Sequence, residues 1–388
     1  MQNNERTNRN KEKKRIKDKK VKTVIWIVLG VVLAILLVMK VCEIDFNYIK
    51  NHISSIGNVA MTNEEIYPYS LDTSGESDVQ IVNNKLAVLT DSSLSVVDPS
   101  NAKTINSFEH GYTNPYLLSA SDYTLLFDRG GTRLRLDTSS RNIYEKNVER
   151  NIITAAVAKN GSVAYSTFSD DADCVLVIMS KNEKSKLELP IKDGYITSIA
   201  LNSSASKCTY VTVNTQDAVL VSTVHTLNVS SGDDVSSMSF NGSNILNVNY
   251  SNQGNVYIVG DDFLSVVSNQ KEVTQVFEKG SIKTNLYCYN SDNELVLNYK
   301  DYSNSTDSKL AFVRSNGKIK TNIELDVAPK YISASSNEVT ALYTDCFKIY
   351  SLTKGEVKRQ TEVDNSVNSV HTLGSKNYVQ YGQYIDVK

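Results

Sequence analysis

A recurrence dominates the second half and more of this chain. From about Asp78 onward, apolar-alternating runs of four to seven residues are separated by Asn, Asp, Ser and Gly, and no apolar pattern of helical period lasts for twelve residues. Such runs read as short antiparallel strands. Leu86–Thr90 (LAVLT), Leu94–Asp98 (LSVVD), Thr124–Asp128 (TLLFD), Leu134–Asp137 (LRLD), Val256–Gly260 (VYIVG) and Leu264–Val267 (LSVV) are examples. They come in fours. A unit reads as a strand, a short turn, a strand ending in Thr or Asp, a tight turn, a third strand, a turn containing Lys or Gly, and a last strand.

Unit starts fall at Val79, Pro115, Ile152, Ile196, Asn244, Ile282, Pro329 and Val367, at intervals of 36 to 48 residues. A period near 40 with four strands per unit is the sequence signature of a propeller blade. One four-stranded sheet cannot cover both of its faces, so the units must stack. The fold class expected is therefore all-β, a propeller with eight blades, or seven if the Ser206–Asn241 stretch is divided differently. The last unit has room for only three strands, VNSVHTL, NYVQY and YIDV. An open sheet edge invites aggregation, so the ring should close. Ile66–Leu71 (IYPYSL) is placed to supply the missing strand.

The edges of these units, such as Leu94–Thr104 (LSVVDPSNAKT) and Leu227–Asp233 (LNVSSGD), resemble those of WD40-like and quinoprotein-like propellers. The whole layout resembles a family of clostridial membrane-anchored propellers, to which no activity is attached. The Gly-His and Trp-Asp pairs of WD40 blades are missing, and the one Trp of the chain lies at position 26, far from the repeats. The tryptophan-docking repeats of quinoprotein dehydrogenases are missing too, so the resemblance implies no quinone, and no cofactor is expected.

Charge divides the chain a second way. Residues 1–22 carry ten Lys or Arg against Glu5, Glu12 and Asp18, which leaves 31 basic and 40 acidic residues for the rest, a net charge of −9. Acidic surface argues against nucleic acid as a partner. Between the basic tail and the repeats, Thr23–Met39 (TVIWIVLGVVLAILLVM) has no charge and no Pro. As a helix, with Lys40 and Val41, it spans about 28 Å, close to the ~30 Å hydrocarbon core of a bilayer. The basic residues before it should remain cytoplasmic. Met39-Lys40-Val41-Cys42-Glu43 offers neither a small-x-small cleavage site nor a lipoprotein box. The expected organisation is a basic cytoplasmic tail (1–22), a single transmembrane helix (23–42) contacting the lipid bilayer, a connector with the ring-closing strand (43–76), and a propeller (77–388) outside the cytoplasm at the cell envelope.

Few residues suggest chemistry. Ser204–Lys207 fits S-x-x-K, Ser291–Asn293 fits S-D-N, and Lys320–Asn322 approaches K-T-G. The first two fall in polar turns between strands and not at the start of a buried helix, which the chemistry needs, and the third lacks its Gly. His52, His110, His225 and His371 are isolated, and Asp170, Asp171 and Asp173 lack the Gly and final Glu of a calcium loop, so no metal site is expected. Cys174, Cys208, Cys288 and Cys346 are irregularly spaced and read as buried thiols, with Cys174–Cys208 as the pair to test for a disulfide. Tyr is abundant, with 22 copies. Several stand at unit junctions: Tyr112 and Tyr116 beside His110, Tyr195 beside Lys192, and Tyr331 beside Lys330. Aromatic residues gathered on one face of a ring suit recognition of a protein or a glycan. The function expected is a protein-interaction or glycan-binding scaffold at the envelope. The alternative is a propeller hydrolase or lyase with a site in the central channel, which would need convergent carboxylates or histidines in the junction loops; these are not evident, and an enzyme is not expected.

Overall fold

The computed structural model describes residues 67–71, 73, 75, 77–268, 271–302 and 308–388. The basic tail, the expected transmembrane helix, the connector up to residue 66 and Cys42 lie outside the described residues. Within the compact unit Ile66–Lys388, the described residues form eight four-stranded antiparallel sheets. Their first strands are Asp78–Val82, Pro115–Ala120, Ile152–Val157, Tyr195–Leu201, Ile245–Tyr250, Ile282–Tyr289, Tyr331–Ala334 and Ser369–Leu373. These sheets are called blades 1 to 8 below. Each start is within two residues of the one expected from the sequence.

Seven blades run simply from first strand to fourth, and the first strands face the centre of the ring. Blade 8 is composite, because its outer strand comes from the N-terminal side. Tyr69 pairs with Ile385 and Ser70 with Tyr384, in the segment expected to close the ring. The Leu71 N–H extends the pairing to Gln383 O at 2.8 Å. Two phenols clamp the seam: Tyr67 and Tyr378 both donate to Pro99 O in blade 1, at 3.1 and 3.0 Å. Gln380 Nε2 donates to Ser77 O at 2.8 Å, which joins the middle of blade 8 to the start of blade 1.

The core is divided among the blade interfaces. Second and third strands are covered on both faces, so their sequences are apolar without strict alternation. Tyr257, Val259, Leu264 and Val266 of blade 5 pack on Ile282, Leu295, Leu297 and Tyr299 of blade 6. Leu125, Phe127, Leu134 and Leu136 of blade 2 meet Ile152, Val163 and Tyr165 of blade 3. Full burial of one such side chain contributes about 1.5–3 kcal/mol, and each interface combines several of them. Outer strands are covered on one face only. They alternate or turn polar, as in Val357–Glu362 (VKRQTE), whose charges protect an otherwise exposed edge.

Blade 4 departs from the pattern. Its second and third strands, Lys207–Gln216 and Val219–Asn228, are ten residues each. The hairpin projects past the other blades and ends in Asp217 and Ala218, both at positive φ (49° and 63°). That two-residue turn has the handedness strands prefer but lacks the glycine that usually marks it. This explains why the Ser206–Asn241 stretch is hard to divide in sequence.

Candidate binding face and central channel

The up-and-down course of each blade sorts its loops. Links from one blade to the next, and turns between second and third strands, lie at one end of the ring, the junction face. Turns between first and second strands lie at the other, the hairpin face.

On the junction face, acidic residues at the end of second strands grip the link that enters their own blade. Asp128 Oδ1 accepts from the backbone N–H groups of Thr113 and Asn114 at 3.1 and 2.8 Å. Asp261 Oδ1 accepts from Asn244 N at 3.0 Å. Asp173, just before the third strand of blade 3, instead holds the link that leaves its blade, its Oδ2 accepting from Gly194 N at 2.8 Å. Carboxylate-to-amide bonds of this kind are stronger than neutral ones. In blade 1 a histidine does similar work. Tyr112 N–H donates to His110 Nδ1 at 3.0 Å, which leaves Nε2 to carry the proton and donate to Thr90 O at 3.1 Å. Burial and the nearby Arg133 charge lower the His110 pKa, which favours this neutral form. Arg133 completes the clamp by donating to His110 O at 3.3 Å and to Gly111 O, with its guanidinium 4.5 Å from the centre of the Tyr112 ring.

The residues singled out in the sequence therefore divide. His110 and Tyr112 are buried in the wall and offer no surface to a ligand. Tyr116 and Tyr195 are 42% and 47% exposed. Lys192 is exposed on the link into blade 4. Lys330 is exposed and donates to Asn365 O at 3.3 Å; it edges a groove of about 700 Å3 between blades 6 and 7 that also holds Val327, Tyr343 and Asp345. Tyr331 turns into the channel wall, with its hydroxyl 3.4 Å from His371 Nε2.

Two partners were not legible in the sequence. Phe168, 47% exposed, makes an edge-on contact with Tyr195 at 6.0 Å between ring centres. Arg129 lies over the Tyr116 ring at 4.1 Å, and the other side of that ring is supported by Phe127 at 5.5 Å. Such contacts hold the aromatic rings in place and reduce the entropy lost on binding. Val219 and Leu220, also exposed, lie at the root of the projecting hairpin tip of blade 4. The junction face thus carries fixed, half-open aromatic side chains on blades 2, 3 and 4.

The channel itself is polar. A cavity of about 1000 Å3 is lined by first-strand ends and turns of all eight blades, among them Asn84, Ser121, Asn249 and Ser335. At the hairpin face the turns are tied together, with Asn160 Nδ2 donating to Ser204 O at 2.7 Å and Asn293 Nδ2 to Tyr250 O at 3.3 Å. Burial, and then the Tyr116 phenol, raise the Tyr287 pKa.

The nucleophile-like motifs have no support here. Ser204 and Ser291–Asn293 occupy turns between first and second strands, Lys207 begins the second strand of blade 4, and Ser291 Oγ is hydrogen-bonded to Ser336 Oγ at 2.9 Å. Among the described residues no group of three or more His, Cys, Asp or Glu is arranged to hold a metal. Cys174, Cys208, Cys288 and Cys346 are free thiols; Cys174 and Cys208 share one apolar cluster without bonding, and burial pushes the Cys288 thiol up to about 12.

Residues 60–383 match a family of unknown function, DUF5711. The chain belongs to this family. The match takes in seven blades and all of blade 8 except its strand Tyr384–Val387. No curated protein matches the chain. Among solved structures, the C-terminal WD40 domain of Sif2 aligns with a TM-score of 0.56 at 12% identity, covering 84% of this chain and 97% of that one. BamB from Moraxella catarrhalis aligns with a TM-score of 0.53 at 10% identity, over 84% and 99% of the two chains. Sqt1 from Saccharomyces cerevisiae gives 0.54 at 8% identity, over 83% and 99%. At such identities the likeness establishes the propeller fold and nothing about ligands.

Proposed function

We propose that this DUF5711 chain is a membrane-anchored scaffold that presents the junction face of its propeller to a protein partner outside the cytoplasm, at the cell envelope. The observation that carries the reading is the set of half-exposed, geometrically fixed aromatic side chains Tyr116, Phe168 and Tyr195. Aromatic and arginine side chains dominate binding energy in protein interfaces, because they bury much area at little conformational cost. The uncharged Thr23–Met39 run, preceded by ten basic residues, supports the anchored, outward orientation. Glycan is the second ligand class such a face suits.

The test is crosslinking of intact cells that carry the tagged full chain, followed by purification and identification of what is bound. The chain with Phe168→Ala and Tyr195→Ala should lose a partner that a hairpin-face variant, Ser203→Ala, retains. Retention of every partner by the junction-face variant refutes the reading. Purification of wall glycan in place of protein assigns the face to the second ligand class.

A further inference from the structure

Asp78 opens the first strand of blade 1 and stands in the bore without a counter-charge. Its side chain is exposed to the bore, and partial desolvation by the surrounding wall raises its pKa. The carboxylate is held in place. Gln80 Nε2 donates to Asp78 Oδ2 at 3.0 Å, and is itself fixed by donating to Leu117 O at 2.8 Å. Among the described residues no Lys, Arg or His acts on the Asp78 charge. Tyr331 of blade 7 lines the same cavity, and the Asp78 charge adds to burial in raising its pKa. His371 lines the same cavity, but burial keeps it neutral at neutral pH. Lys159 is the one Lys or Arg in the lining; it sits at the hairpin end, where its Nζ is 2.7 Å from Asn252 Oδ1.

The rest of the wall is amide, hydroxyl and tyrosine. A carboxylate in such surroundings has lost part of its hydration and gains most from a cation that enters with hydrogen-bonding groups behind it. Tyrosine faces add attraction for the same charge. An anionic ligand would be repelled, and a neutral one would leave Asp78 unpaired. The cavity volume of about 1000 Å3 admits a ligand of short-peptide size.

We propose that the bore is a receptor for a lysine-type ammonium group carried on an extended peptide, with the amine at Asp78 and the peptide amides against the Asn and Ser side chains of the wall. Asn84, Asn249 and Ser335 supply both donors and acceptors along the approach from the hairpin face. Asp78 stands at the junction end of the bore but shares no residue with the Tyr116, Phe168 and Tyr195 set, so either site can fail without the other.

The probes are the tripeptide Ala-Lys-Ala, acetylated at its N-terminus and amidated at its C-terminus, and its Nε-acetyl form, titrated by calorimetry into the purified full chain in detergent. The acetyl group removes the charge and leaves the protein untouched, so the proposal stays refutable even if a variant folds poorly. Saturable binding of Ala-Lys-Ala is expected, weakened at least tenfold by acetylation and at least tenfold by Asp78→Asn. Asp171→Asn, on an exposed loop, should change nothing. Equal binding of the two peptides, unaltered binding by Asp78→Asn, or no binding by a chain whose melting curve shows it folded overturns the proposal.

Discussion

Acidification should loosen blade 8 through one histidine. His371 is 6% exposed, with Nε2 3.0 Å from Ser369 Oγ and 3.4 Å from the Tyr331 hydroxyl. Burial lowers its pKa from 6.5 to about 4. The unfolded chain therefore binds a proton as the pH falls below 6.5, while the native protein refuses it until about 4. Stability is fully present above the unfolded pKa and falls across that window. A gap of about 2.5 pH units corresponds to roughly 3 kcal/mol. For a cooperative unit of this size that is a Tm change of about 5 °C. Carboxylates titrate over the same range, so the quantity to measure is a difference. Thermal unfolding of the purified chain and of His371→Gln should be followed by circular dichroism from pH 7.5 to pH 4. The variant should begin lower, by about 1 kcal/mol for the lost packing and hydrogen bonding, and then lose less on acidification. The two melting temperatures should converge or cross near pH 4. Parallel curves over the whole range would show that His371 is not held neutral by burial.

Other perturbations test the ring directly. Gly194→Ala should destabilise blade 4 by about 2 kcal/mol or more, since φ is +97° and an added Cβ would lie 2.4 Å from Val213 O; an unchanged Tm contradicts the geometry. Tyr257→Phe removes a buried hydroxyl that donates to Val313 O at 3.1 Å between blades 5 and 6, and should cost about 1 kcal/mol in urea unfolding without altering the circular dichroism spectrum. Deletion of residues 67–71 strips the outer strand from blade 8 and the Tyr67 clamp from Pro99; the product should aggregate and melt over a broader range, and a sharp, unshifted melt would mean the closing strand carries little stability.

Much of the fold can be read along the chain because a propeller repeats its physics. Every second strand is buried on both faces, so LAVL, TLLF and VYIV stand out as apolar runs of similar length. The Thr or Asp that ends them also has a cause. Asp128 and its counterpart Asp261, just past the strand end, bond the backbone of the incoming link, so the residue recurs wherever that link needs an acceptor. The closing strand was legible for a topological reason, since three strands in the last unit require a fourth from elsewhere. Blade 4 was opaque because its long hairpin turns through Asp217 and Ala218, without glycine.

The candidate face was less legible. Its position follows from strand order, which places the junction links together, but exposure does not follow from residue type. Tyr112, on the link into blade 2, and Tyr116, in the first strand of that blade, are four positions apart. One turns inward beneath Arg133, and the other opens 42% of its surface to solvent beside Arg129. Phe168 escaped notice because its partner, Tyr195, belongs to the next blade. Asp78 has no sequence signal either, since only closure of the ring brings it into one cavity with Tyr331.

The central claim is an outward-facing propeller on a membrane anchor, and labelling of intact cells tests it most directly. The four thiols of the described residues are largely shielded, which keeps the background low. Val357, on the outer strand of blade 7, is 50% exposed and far in sequence from the residues proposed to bind. A membrane-impermeant maleimide should label Val357→Cys in intact cells, and much more strongly than the unsubstituted chain. Labelling that appears only after the membrane is permeabilised would place the propeller in the cytoplasm and contradict the account.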